Sequence, residues 1–153
     1  MSQDLDLVLS ADRIATLRTA ARLIDEWITQ TFAPIPVEQR IVVSAHDAFS
    51  YYGKRYGVSL EPLLGLSTAS ETKLARVNEL VELIAERDIS AVFSETSVES
   101  AGIAALREGA AQRGVDLRSM PPLYSDALGP ADKLGGQYFG MLIENTINIV
   151  DAI

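Results

Sequence analysis

Apolar positions along the first fifth of the chain recur at helical spacing, then contract into short solid runs. Ile14, Leu17, Ala21, Ile24 and Ile28 fall three and four residues apart, with Ala20, Leu23 and Trp27 widening the stripe, so residues 11 to 31 predict an amphipathic helix. Ala33-Pro34-Ile35-Pro36 ends it. The β-branched run Ile41-Val42-Val43 predicts a buried strand over residues 40 to 45. Asp47 to Tyr56 reads as a short aromatic-rich helix, with Asp47 in its first turn and Gly57 as a left-handed cap. Leu63-Leu64-Gly65-Leu66 predicts a second buried strand. Thr68-Ala69-Ser70-Glu71 has the form of a capping box. It precedes a long helix with Leu74, Val77, Leu80, Val81 and Ile84 inward and Lys73, Arg76, Glu79 and Glu82 toward water. Ile89 to Phe93 predicts a third strand, residues 98 to 112 an alanine-rich helix ended by Gly114, and Val115 to Tyr124 a weaker strand. Leu134 to Ile153 predicts the last helix, with Tyr138, Leu142, Asn145 and Ile149 on one face.

Strands that alternate with helices imply βαβ units. The expectation is an α/β fold of about four mainly parallel strands flanked by helices in three layers, with a long helix in front. At 153 residues and 48% hydrophobic, the chain can bury one ordinary core, and one compact domain is the default. There are no internal repeats, and the Pro- and Gly-rich stretches read as loops. A net charge of −8 excludes the basic footprint that nucleic-acid binding needs. The absence of cysteine excludes disulfides and thiolate metal sites. No apolar stretch is long enough to span a bilayer. The acidic opening Met1-Ser2-Gln3-Asp4 is not a signal peptide, so the chain is expected to be cytoplasmic or a trimmed piece of an exported protein.

The one histidine, His46, stands where the first strand ends. Open α/β sheets bind ligands at the carboxyl ends of their strands, and imidazole suits first-row divalent ions. A hydrogen-bonded structural histidine is the plainer alternative. Asp126, in Leu123-Tyr124-Ser125-Asp126-Ala127-Leu128-Gly129, is either a turn residue or the oxygen donor of a mixed nitrogen/oxygen metal site. Glu95 closes the third strand and points toward the rim of His46, either as a solvent-facing acid or helix cap, or as a partner that orients a ligand. Tyr51, Tyr52 and Tyr56 read as helix-face packing. Ser44, His46 and Asp126 could be written as a hydrolytic triad, but no nucleophile elbow accompanies them, and no G-x-G-x-x-G or P-loop is present.

Taken together, five ordered segments over about residues 23 to 152 resemble one family. They are Ser44 to Tyr52 with Tyr56-Gly57; Gly65-Leu66-Ser67-Thr68 with Glu71; Ala91 to Val98; Leu123 to Gly129; and Tyr138, Gly140, Met141 and Asn145. The family is the TroA-like solute-binding proteins, the metal receptors of ABC importers for manganese, zinc and iron. The resemblance implies two α/β lobes joined by a long helix, with a metal held between them by two histidines from the amino-terminal lobe and two ligands from the carboxy-terminal lobe. It makes His46 and Asp126 the third and fourth ligands and puts Glu95 near the site. It makes residues 1–36 a helix and connector, and 37–153 a carboxy-terminal lobe. The amino-terminal lobe has no counterpart, so the four-ligand site is incomplete within this chain, whether it is a natural truncation, a fragment or a designed half.

On that reading the chain binds manganese, zinc or iron and delivers it to an ABC permease in the periplasm or cell envelope. Its partners would be the permease and either a complementary amino-terminal lobe or a second copy. The alternative is an isolated lobe acting as a protein-interaction module without metal. No catalytic activity is expected.

Overall fold

The computed structural model describes residues 11–65, 74–96 and 101–153. Within them run α1 (Ala11–Phe32), β1 (Ile41–His46), α2 (Ser50–Tyr56), β2 (Ser59–Leu64), α3 (Leu74–Glu86), β3 (Ala91–Glu95), α4 (Ala101–Gln112), β4 (Arg118–Leu123) and α5 (Tyr138–Ala152), with single 3-10 turns at Val37–Gln39 and Leu134–Gly136. The four strands form one parallel sheet in the order β2-β1-β3-β4. Right-handed crossovers in that order send α2 to one face, and α3 and α4 to the other. The core divides accordingly. Val43, Ala45 and Val92 pack with Val77, Leu80, Ile84, Ile103 and Leu106 of α3 and α4. Val42, Phe93 and Leu123 pack with Ile28, Phe32 and Ile149 of α1 and α5, flanked by Tyr52 and Tyr56 of α2. The expected three-layer α/β architecture is therefore present. None of the described helices is long and apolar enough to cross a membrane.

The central strands are the apolar ones, and the edges carry proline: Pro62 in β2, Pro121 and Pro122 in β4. Proline lacks the N–H that an inner ladder position needs. This also explains why β2 lies at Ser59–Leu64, earlier than the Leu63–Leu66 run suggested. An edge strand needs little apolar sequence, so Ser59, Glu61 and Pro62 do not advertise it. The register of β3 on β4 slips between Phe93 and Glu95: two steps along β3 match three along β4, from Met120 to Leu123. The extra residue falls at the two prolines, a bulge that re-aims the chain beyond Leu123.

Gly57 takes the left-handed conformation at φ 68° and closes α2 as expected. Other local readings need correction. Asp47 is not in a helical first turn, because α2 starts only at Ser50; the Asp47 side chain instead accepts a hydrogen bond from the Ser50 hydroxyl. Leu74 is exposed and lies on the groove between α3 and α4. Tyr138, in the opening turn of α5, is also exposed, with its ring against Phe139. Arg76 does not simply face water: it donates to the Pro62 carbonyl and the Glu61 carboxylate, tying α3 to β2. The capping box at 68–71, Leu66, Lys73 and the start of the helix near residue 98 lie outside the described residues.

Helix α1 packs against α5 and α2 and leads through residues 33–40 into β1. Its 22 residues span about 33 Å, well beyond a six-residue strand. The second half is anchored. Ile28 and Phe32 are buried, and Asp25 holds the Arg55 guanidinium and the Tyr56 hydroxyl. From Ala11 to Thr19 every residue is exposed, including Ile14 and Leu17 of the apolar stripe. This exposed stretch is roughly 13 Å long at 1.5 Å per residue.

Two phenols sit in the junction of α1, α2 and α5. The Thr146 hydroxyl donates to the Leu142 carbonyl, so the Tyr52 hydroxyl donates to Thr146 Oγ1 at 2.8 Å. Burial raises the pKa of Tyr52, and burial with the Asp25 carboxylate raises that of Tyr56 to about 12. The folded state therefore holds these protons more firmly than the unfolded chain. The stability they contribute is intact below about pH 10 and is lost as pH climbs toward 12. Thermal melts should show a falling Tm between pH 9.5 and 11.5, with a smaller fall in Tyr56→Phe. Equal falls in both proteins would contradict this account.

Candidate metal centre

Val43 of β1 is level with Val92 of β3. Three residues further on, His46 and Glu95 arrive level with each other at the ends of the two central strands. Both side chains turn to the α1/α2/α5 face, because three residues along a strand reverses the face. β1 and β3 are also the neighbours whose following helices leave in opposite directions. The crevice between their carboxyl ends is the topological switch point, where open α/β sheets bind ligands.

The contact that results is buried. His46 is 3% exposed, and the Glu95 carboxylate is sealed from solvent. Glu95 Oε1 accepts from the His46 backbone N–H at 2.8 Å, while Oε2 lies 2.6 Å from His46 Nδ1. Nδ1 and Oε2 have no other hydrogen-bond partner among the described residues. A buried carboxylate at this distance requires the ring proton on Nδ1. The lone pair of Nε2 is then left to face outward. This is the arrangement in which a carboxylate fixes the tautomer and orientation of a metal-binding imidazole.

Across from Nε2, at 3.4 Å, stands Asp126 Oδ2, on a side chain 58% exposed. When the ring is neutral with its proton on Nδ1, the Nε2 lone pair and this carboxylate face the same point, where a cation would be bound by both. The separation suits a shared ion: bonds of about 2.0–2.1 Å at tetrahedral angles put neighbouring ligand atoms about 3.4 Å apart. The two atoms make only half a coordination sphere. Among the described residues no group of three or more His, Cys, Asp and Glu side chains is arranged to hold a metal ion by itself.

Asp126 sits on the loop between β4 and α5, and α5 ties that loop down. The Asn145 amide makes a two-point clasp on Tyr124: Tyr124 N–H donates to Asn145 Oδ1 at 3.0 Å, and Asn145 Nδ2 donates to the Tyr124 carbonyl at 2.8 Å. Glu144, the residue before it, accepts from the Gly135 N–H at 2.8 Å and from the Tyr124 hydroxyl at 3.3 Å. The Tyr124 ring lies between Gly129 and Gly135; a Cβ on either glycine would fall within 2.7 Å of ring carbons. Burial and the neighbouring Glu144 carboxylate push the Tyr124 phenol up. Neither clasp was visible in the sequence. Asn145 registered only as a member of a helix face and of a family motif, and Glu144 not at all, because nothing local marks a side chain whose partner lies twenty residues back.

The structure brings His46, Glu95 and Asp126 together. It does not assemble the Ser-His-Asp alternative: the Ser44 hydroxyl donates to the backbone carbonyl of His46. Nδ1 is occupied by Glu95 and not by Asp126. Glu95 is buried and is not a solvent-facing acid; the helix start it was expected to cap lies outside the described residues.

The sequence profile of zinc-uptake complex component A, periplasmic (ZnuA), matches residues 10–152. The manganese-binding lipoprotein MntA of Bacillus subtilis is 42% identical over 130 residues, covering 85% of this chain and 42% of the relative. The zinc-binding protein TroA of Treponema pallidum is 37% identical over the same length. Its solved structure superposes with a TM-score of 0.87 at 35% identity, over 92% of this chain and 51% of that one. Fe(III)-bound YtgA of Chlamydia trachomatis superposes at 0.76 with 25% identity, covering 50% of that chain. The chain thus spans about half the length of the relatives it matches. A parallel sheet with His46, Glu95 and Asp126 gathered at its switch point, and a profile match over nearly the whole chain, place this protein in the ZnuA/TroA-like family of metal-binding proteins.

Proposed function

We propose that this chain is the carboxy-terminal lobe of a solute-binding protein for manganese, zinc or iron, and that it supplies two ligands, His46 Nε2 and the Asp126 carboxylate. Glu95 is the orienting partner of the imidazole. Residues 37–153 are the lobe itself, and residues 1–36 the helix and connector that enter it. On this reading the metal is cargo passed to an ABC permease at the cell envelope, and a complementary lobe or second copy provides the remaining ligands. The observation that carries it is the Nε2–Oδ2 separation of 3.4 Å with Nδ1 held by a buried carboxylate. The names of the relatives, manganese-, zinc- and iron(III)-binding, support the metal class without choosing among its members.

A second reading, a docking module without metal, draws support from the exposed first half of α1, where Ile14 and Leu17 of its apolar stripe are uncovered. The two readings part at His46.

Calorimetric titration of zinc and manganese into the purified chain should show binding that Asp126→Ala weakens, with a residual affinity still measurable through His46. His46→Ala is a poor companion, because stripping a buried carboxylate of its partner is destabilising by about 3–5 kcal/mol. His46→Asn keeps a donor toward Glu95 and removes Nε2. It should abolish metal binding with the fold intact. No heat at millimolar metal, or heat indifferent to both substitutions, would hand the case to the docking module.

Two further outcomes follow from the same geometry. Glu95→Gln should leave a site that binds about 10–100-fold more weakly, read by the same titration. Acidification from pH 8 to pH 5 should weaken binding, because only neutral imidazole coordinates. An affinity that stays flat over that range would argue against histidine ligation.

A further inference from the structure

The two ligands are held in different ways. His46 is the last residue of a central strand, locked by two contacts to Glu95. Asp126 lies on an exposed loop with no strand or helix of its own. Something else must keep the separation of the pair, because a ligand misplaced by about 1 Å is a ligand lost.

We infer that Asn145 is the positioning residue of the metal half-site: its amide clasps both backbone groups of Tyr124, two residues before Asp126, and thereby sets the Asp126 carboxylate opposite His46 Nε2. The inference rests on the half-site reading above and deepens it. The clasp is specific in chemistry. A primary amide offers an acceptor and a donor side by side, as a neighbouring strand would, so Asn145 continues the hydrogen bonding of β4 where the sheet has run out. At 2% exposure its amide is shielded from bulk solvent, so both bonds are made within the protein. Thr96 N–H to the Leu123 carbonyl, at 3.2 Å, is the last sheet bond on this path among the described residues. One residue later the chain depends on α5. Glu144 closes the other end, through Gly135 and the Tyr124 hydroxyl, so adjacent residues of one helix grip the loop on both sides of Asp126. Tyr124 is the hub, with its backbone in the Asn145 clasp, its ring between two glycines and its hydroxyl on Glu144.

The test is a double-mutant cycle on the full chain, read by zinc titration, with thermal melts to establish folding. Asn145→Ala should weaken zinc binding about tenfold or more, the range of lost orienting partners. Since Asn145 acts through Asp126, the Asn145→Ala/Asp126→Ala double variant should bind no worse than Asp126→Ala alone. A residue that merely stabilised the lobe would add its own loss to the double variant. Glu144→Ala, half-buried and less exacting for folding, should show the same dependence on Asp126 at smaller amplitude, and it carries the test if Asn145→Ala does not fold. Amide hydrogen exchange without metal should quicken at residues 124–129 in Asn145→Ala and stay unchanged in β1 and β3. Zinc affinity indifferent to both α5 variants while Asp126→Ala lowers it, or losses that add in the double variants, would overturn the inference and leave the half-site standing. Binding indifferent to Asp126→Ala would overturn the half-site reading and this inference with it.

Discussion

Glu95 carries a carboxylate inside the fold, and a buried charge is tolerated only when it is paired and hydrogen-bonded. Its two oxygens take the backbone N–H and the Nδ1 of one residue, His46, across the central pair of strands. That contact fixes several things together. It staples β1 to β3 at their carboxyl ends, three residues beyond the Val43–Val92 pairing. It sets the imidazole tautomer and aims Nε2 at the crevice. It also explains why the sheet can end in polar side chains at all: each satisfies the other. The stability of the strand ends and the readiness of the ligand are one arrangement.

The elements around it differ in how plainly they are written. β1 and β3 are solid apolar runs because both of their faces are covered, and the pattern of Ile41-Val42-Val43 and Ala91-Val92-Phe93 could hardly be read otherwise. α1 and α3 show their stripes clearly. The edge strands do not, because half of their surroundings is water, and Pro62 and Pro121-Pro122 argue against a strand at every inner position. Asp47 was read as helical from its charge and place. In the structure the chain first needs three residues to turn away from the end of β1.

The site was legible to a different depth. That His46 ends a strand, and that Glu95 ends another on the same rim, follows from apolar runs and the rules of parallel sheets. That the two touch follows only from register, which no run of residues announces. The pairing of Asp126 with His46 rested on resemblance, since a loop's course depends on what it is tied to. Here the ties are Asn145 and Glu144, on a helix whose apolar periodicity conceals them. Long-range polar contacts have no period, and they are what a reading by pattern leaves out.

The prolines of the outer strands carry a consequence for how this fold can meet another molecule. A parallel sheet normally ends in two rows of unpaired amides and carbonyls, each a template for a further strand. Here Pro62 breaks one row, and Pro121 and Pro122, with their bulge, break the other. Sheet extension by a neighbouring chain is therefore discouraged on both flanks. A companion that pairs by adding a strand is disfavoured on both edges, which leaves the helix faces and the end of the sheet, where the strands stop and the loops begin, as the surfaces open to contact.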